Sequence, residues 1–419
     1  MSEQTLPSSG ETEKHADAGY DKALKSRHIS MIAIGGAIGT GLFLGAGGRL
    51  AQAGPALAIV YAVCGLFAFF VVRSLGELIL HRPSSGLFVS YAREFMGEKG
   101  AYVAGWMHFL NWSTTGIADI TAIALYAHFW SYFAPIPQWA LALIALAVVL
   151  KVNLVSVKLF GEMAFRFAIV KVAALVLFMI IGIVLLVTQH PVDGLAPGPR
   201  LIADHGGIFP PGVLPMILIV QGVVFAYASV ELAGVAAGET ESPQKIMLVL
   251  TAAMSSLNSG LYSTGRILRS MSVAGSAPKF TGVMNRNQVP YGGILLMAAV
   301  CVLGVGLNYV VPKDAFEIVL NFAAIGILAT WAIIVPCHLL FVRRANRGEL
   351  TRPSVRLPGS PWTELTALVF LAAVVVPMAF DKTGRITVLA LPAIVVALVI
   401  GWFCLRKRID ISAFEKADQ

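Results

Sequence analysis

Along the chain, long apolar runs alternate with short polar stretches that hold most of the charges. Each run is roughly 20 residues, the length of helix that crosses the hydrocarbon core of a bilayer. The runs fall at about 29–50, 55–80, 101–130, 138–157, 163–188, 212–237, 247–265, 290–310, 315–341, 365–380 and 386–405. This pattern predicts an all-α polytopic membrane protein with eleven apolar spans. No tandem motif marks a solenoid. The polar stretches are too short to fold as soluble domains. The expected division is therefore a tail at 1–28, one transmembrane domain at 29–408 and a second tail at 409–419, with both tails cytoplasmic. The first tail, mixed in charge, has neither the basic start nor the apolar core of a cleaved signal peptide.

Composition sharpens this picture. Of 419 residues, 57% are hydrophobic and 13% charged, with a mean hydropathy of +0.78; a soluble domain carries about 25% charged residues. The net charge of +8 would raise nucleic acid as a partner in a soluble protein. Here the basic residues flank spans, which points to anionic inner-leaflet lipid instead. Cys64, Cys301, Cys337 and Cys404 stand singly in apolar runs and read as small buried side chains, with no metal site among them. Trp130, Tyr132, Trp139, Trp362 and Trp402 lie near run ends, where aromatic residues anchor a helix at the interface.

Charge also tests the topology. With the N-terminus inside, Lys22, Lys25 and Arg27 begin on the cytoplasmic face. Arg82, Arg93 and Lys99, then Lys151, Lys158 and Arg166, return to it, and the other face receives only Arg49 and Arg200. After Lys245 the parity fails. Eleven simple crossings would put Arg266, Arg269, Lys279, Arg286, Arg343, Arg344, Arg347, Arg352, Arg356, Arg406, Lys407 and Arg408 outside. One more crossing between Lys245 and Met247 restores every loop. The seventh run is also short, turning polar at Ser255, Ser256, Asn258 and Ser259. The expectation is a missing stretch near residue 246 that holds one span, an outer loop and the start of the next span. A re-entrant segment at 247–265 is the rival explanation.

Two runs carry the chemistry of an interrupted helix. The first contains Gly35, Gly36, Gly39, Gly41, Gly45, Gly47 and Gly48. Glycine lowers the cost of breaking a helix, and free backbone at membrane depth is tolerated only where it is buried or lines a cavity. The sixth run, Phe225-Ala226-Tyr227-Ala228-Ser229-Val230-Glu231, repeats the device. A pair of interrupted segments opening two halves of a chain points to a transporter site for a zwitterion. Close helix packing through small residues is the plainer alternative. Glu231 inside a span is a functional candidate or a tie for unwound amides. Lys171, in FAIVKVAALVLF, is a proton-coupling candidate or simply the neutraliser of a carboxylate. His108, Asn111, Thr115 and Asp119 form one helical stripe that must face the interior; Thr251, Ser255, Asn258, Ser259 and Tyr262 form another. Glu77, beside His81, Arg82 and Pro83, reads as half of a structural ion pair. No HExxH, Walker loop or supported Ser/His/Asp arrangement suggests an enzyme. The lack of a repeated filter argues against a channel.

The stretches IAIGGAIGTGLFLGAG, LGELILHRPSSGLFVSYAREFMGEKGAYVAGW, VVFAYASVELAGVAAGETESPQKI and SSLNSGLYSTGRILRSMSVAGSAPKF carry a resemblance. From about residue 20 to 408 the chain resembles the amino acid permeases of the amino acid/polyamine/organocation superfamily. Within them HRPSSG, GIADITAIALY and EIVLNFAAIGILATWAIIVP look most like the bacterial asparagine permeases. The resemblance implies twelve spans built from two inverted five-helix repeats plus two terminal helices, with helices 1 and 6 broken and the seventh helix missing here. It implies proton-coupled import of a neutral amino acid, asparagine first, across the inner (plasma) membrane. No cofactor beyond the proton gradient and no obligatory protein partner are expected. Another amino acid, such as γ-aminobutyrate or an aromatic one, and a truncated permease that does not transport are the alternatives. By motif, Thr40 and Gly41 would hold the substrate carboxylate, and carbonyls near Ile38 and at Phe225, Ala226, Tyr227 and Ala228 its ammonium. Phe225 would gate the site, and Lys171 would stand where related transporters hold a sodium ion. Asp119, Asn111, Tyr227 and Asn321 are the candidates for side-chain selectivity.

Overall fold

The computed structural model describes residues 39–43, 45–82, 87–128, 130–155, 157–191, 194–210, 212–228, 249–310, 315–407 and 409. These residues are helical throughout, with short turns between helices. Five helices are long and apolar enough to cross a membrane: Gly45–His81, Gln138–Val155, Leu159–Thr188, Phe316–Asn346 and Thr383–Leu405. The chain is thus a multi-pass membrane protein.

In the glycine-rich first run the described residues begin at non-helical Gly39, followed by α1 (Thr40–Phe43) and α2 (Gly45–Ala53). Gly54 at φ 61° and Pro55 then form a single 3-10 turn before α3 (Leu57–His81). That φ lies in the left-handed region glycine favours. The third run differs most from expectation. Helix α4 (Leu87–Ala127) starts well before the apolar span, because Leu87–Met96 folds as a charged amphipathic turn-in that ends at Gly97, φ 75°. Then come α5 (Gln138–Val155), α6 (Val157–Thr188), the short α7 (Pro199–Asp204), α8 (Val213–Leu218) and α9 (Val220–Ala226). The last five are α10 (Val249–Val273), α11 (Tyr291–Val310), α12 (Ala315–Asn346), α13 (Trp362–Met378) and α14 (Lys382–Leu405).

Helix α4 is the spine, packed most extensively on α12 and α10. Its contacts interlock through glycine. Gly105 of α4 receives Met271 of α10, and Gly116 meets Cys301 of α11. In return Gly260 receives Trp112, Gly304 receives Ile117 and Gly326 receives Asn111, where an added Cβ would stand 2.6 Å from the Asn111 Cα. Trp112 and Trp331 are fully buried in this core. At the rim, no residue in the most apolar stretch of α14 is buried, against 78% for α12. Cys404, on α14, is exposed, which corrects the reading of all four cysteines as buried; the other three are buried and all four are free. Trp402 packs edge-on against Tyr102 rather than standing only as an anchor.

The glycine pairs also fix direction. Residues 105, 112 and 116 of α4 meet 271, 260 and 257 of α10, so these helices are antiparallel. The loop after α10 closes on the end of α5, where the Asn285 amide donates to the Leu154 carbonyl (2.8 Å) and the Asn287 amide to that of Val155 (2.6 Å). Loops bearing Arg82 and Arg93, Lys151, Lys279 and Arg286, and Arg352 therefore share one end. Helix α9 also runs toward that end, since Gln221 and Gly222 lie at the opposite end beside Arg49. Helices α9 and α10, consecutive among the described helices, thus run in the same direction. The junction near residue 246 lies outside the described residues.

Candidate functional site

The start of α1 and the end of α9, where the interruptions are expected, meet. Helix α9 stops at Ala226, and the Tyr227 and Ala228 amides close the turn on the carbonyls of Val224 (3.0 Å) and Phe225 (2.9 Å). Gly41 in α1 faces this end: an added Cβ would stand 2.6 Å from the Phe225 ring and 3.0 Å from the Ala226 Cα. Only a residue without a side chain lets the two backbones come this close. Thr40 begins α1, so its amide and that of Gly41 belong to the first turn of that helix. Ile38 and Glu231 lie outside the described residues, as does the Thr40 side chain.

The selectivity candidates divide. The Tyr227 hydroxyl reaches across to α3 and donates to the Tyr61 carbonyl (2.8 Å), above Gly65. Asn111 accepts from Thr115 (3.3 Å) and packs on α12. Asn321 donates to the Thr383 hydroxyl (3.1 Å). Asp119 and Lys171 are both fully buried, and the carboxylate is the acidic group whose field reaches the lysine. A buried lysine survives in a membrane core by such pairing. The second stripe serves neighbouring helices. Asn258 accepts from Asn153 of α5 (2.6 Å), and Tyr262 stacks on Phe160 of α6 with ring centres 4.0 Å apart.

Two charged clusters at opposite ends escaped the sequence reading. At the end away from the basic loops, Arg49 is buried and donates to the Gly41 carbonyl (2.7 Å). Gly45, one turn earlier, and Gly222 across on α9 make room for its guanidinium. The glycine four residues before an arginine was the available signal. A cavity of about 430 Å³ opens beside it, lined also by Gln52, Gln221, Glu317, Asp381 and Thr383. At the other end Glu77, fully buried, accepts from His338 Nε2 (3.0 Å), from Arg352 and from the Leu357 amide (2.8 Å). His338 Nδ1 in turn faces Glu364 (3.1 Å), which also accepts from Ser360. Glu77 is therefore ion-paired, though not with its chain neighbour. Arg82 instead holds Glu94 at 2.7 Å.

Relatives with the same residue pattern are numerous. The chain is 63% identical to the L-asparagine permease of Streptomyces coelicolor over 450 aligned positions, covering 94% of this chain and 92% of that one. It is 51% identical to the L-asparagine permease of Escherichia coli, covering 94% and 90%. A manganese transporter of Eremococcus coleocola superposes only loosely, with 11% identity, a TM-score of 0.43, and 98% and 97% covered. The 450 aligned positions exceed the chain's own 419 residues. Since 94% of 419 is about 394, about 56 positions of the Streptomyces protein have no counterpart here, room for a span of roughly 20 residues with its loops. The amino acid permease family matches in two pieces, residues 28–249 and 246–410, that abut at the junction where the charge parity fails. Together they cover nearly the whole chain, which belongs to the amino acid permease family.

Proposed function

We propose that this fold imports a neutral amino acid, L-asparagine first, with protons, across the cell's inner (plasma) membrane, its N-terminus cytoplasmic. The observation that carries the reading is the contact of Gly41 with the end of α9, which brings the first-turn amides of α1 close to the last turn of α9. A zwitterion's carboxylate and ammonium fit that pair, with the Phe225 ring beside it. The names of the relatives direct the choice to asparagine. Lys171 facing Asp119 supplies a coupling device, since a proton shared between them changes the charge buried next to the scaffold. Ile38, Thr40 and Glu231 keep their proposed roles as, in turn, ammonium acceptor, carboxylate donor and coupling acid.

A second reading concerns this exact chain, which we propose lacks the seventh helix and does not itself transport. It is favoured by the shared direction of α9 and α10. Residues 229–248 carry Glu231, Glu239, Glu241 and Lys245 and are too polar to return across a bilayer as a helix. The outer half of α6 supports it too. Phe178, Met179, Ile180, Ile181, Ile183, Val184 and Val187 are all exposed, so that among the described residues this half packs on nothing.

Uptake of labelled asparagine into vesicles tests both readings. The expected result is gradient-driven uptake only after the corresponding segment of the Streptomyces relative is inserted behind Lys245. Uptake by the 419-residue chain as it stands would overturn the second reading. Failure of the completed chain as well would overturn the first.

A further inference from the structure

The cavity beside Arg49 is separate from the Gly41–Phe225 contact, and its lining has a definite chemistry. One wall is cationic. Arg49 spends one nitrogen on the Gly41 carbonyl and lies beside Tyr61, with Glu317 the acid whose charge reaches it. Another part of the lining is anionic. Glu317 is exposed to the cavity, and Asp381 stands near enough for their charges to interact. Asp381 is fixed there because its Oδ2 caps α14, accepting from the Thr383 and Gly384 amides (3.1 and 2.7 Å) and the Thr383 hydroxyl (2.7 Å). A further polar member of the lining is Gln221. It lines the cavity, only 9% of it is exposed, and its Oε1 has no hydrogen-bond partner. A buried acceptor left unpaired is costly, so one that lines a cavity is placed to take a donor from its occupant.

We infer that this cavity is a second amino acid site, an outer station that takes a zwitterion by its head before the central site receives it. The carboxylate lies against the Arg49 guanidinium. The ammonium lies between Gln221 Oε1 and the Glu317 carboxylate. Both charges are needed, because a simple anion would meet Glu317 and Asp381 and a simple cation would meet Arg49. The volume, about 430 Å³, holds a small amino acid with water around it. The inference rests on the permease reading only for the identity of the ligand.

The test uses the full 419-residue chain in lipid nanodiscs. Cys404→Ser removes the exposed native thiol, and Gln52→Cys places one on the cavity wall. L-Asparagine should slow labelling by a charged thiol reagent, about tenfold at ten times the half-protecting concentration, as simple occupancy requires. Protection should persist in Phe225→Ala, while the binding stoichiometry of labelled asparagine falls from two per chain to one; Tyr227→Ala serves if that variant does not fold. Glu317→Gln should raise the half-protecting concentration at least tenfold, and succinamate, which lacks the ammonium, should protect far less. Labelling indifferent to asparagine, protection lost together with the central site, or equal protection by succinamate would each overturn the outer station. Protection without any uptake by the helix-completed chain would count against transport and leave this site standing.

Discussion

The two ends of the molecule assemble the same kinds of side chain to opposite effect. At the inner end Glu77, His338, Arg352 and Glu364 bond to one another, with the two glutamates and the histidine withdrawn from solvent and Glu364 Oε2 left without a partner. At the outer end Arg49, Glu317, Asp381 and Gln221 surround a cavity, and one buried acceptor stays open. Helix α12 takes part in both. Glu317 and His338 are 21 positions apart, about 32 Å along a helix at 1.5 Å per residue, close to the thickness of a bilayer core. A polar network packed on itself ties helices together, whereas one that lines a cavity has room to bind. The inner cluster joins α3, α12 and the segment before α13 and reads as a lock. The outer one reads as a receptor.

The largest expected effect lies in the lock. Glu77→Ala leaves His338, Arg352 and the Leu357 amide without their acceptor and should cost about 3–5 kcal/mol of stability, seen as a fall in the unfolding temperature in detergent. An unfolding temperature within a degree of the parent would show that the inner cluster is no lock. Next is the mid-membrane pair. Lys171→Met should cost about 3 kcal/mol, and adding Asp119→Leu should return more than half of it, because removing both charges leaves neither stranded. Additive losses in that double-mutant cycle would mean that the two do not act as a pair.

Arg49→Leu comes third. It frees the Gly41 carbonyl and should cost about 1.5–3 kcal/mol, the value of a hydrogen bond to a charged donor. It should also abolish asparagine protection at position 52, which separates it from a purely structural change. The smallest effect on stability is that of Glu317→Gln, expected within about 0.5 kcal/mol of the parent, as for a surface substitution. If calorimetry found it as costly as Glu77→Ala, the contrast between the two ends would collapse.

Much of the helical layout was legible in the apolar runs, because a bilayer imposes one length on every crossing. The inner part of α4 was not. Residues such as Arg93, Glu94 and Glu98 made Leu87–Met96 look like loop, yet Arg82–Glu94 and Arg93–Glu98 pairs carry those charges. The glycines of the first run read as the mark of an interrupted helix, with close packing as the alternative, and Gly41 makes a close backbone approach. Lys171 and Asp119 were each legible as buried charges, but that the field of one reaches the other is a property of two separate helices. The clusters at the two ends were illegible for the same reason. Glu77 and His338 are 261 positions apart, and single-chain periodicity is silent on such pairings. Arg49 was read only as a loop charge because it sits where a span ends.

The glycine contacts around α4 bear on how such a protein can change over generations. Gly105, Gly116, Gly260, Gly304 and Gly326 each face a side chain that already fills the place of a Cβ. Most replacements there would push α4 off α10, α11 or α12, so selection should remove them regardless of what the protein carries. Helix α14, with no buried residue in its most apolar stretch, is free to drift among apolar residues. Divergence in this lineage should therefore accumulate along the rim and leave the spine almost untouched, and new specificities should arise from lining residues such as Gln221 and Glu317.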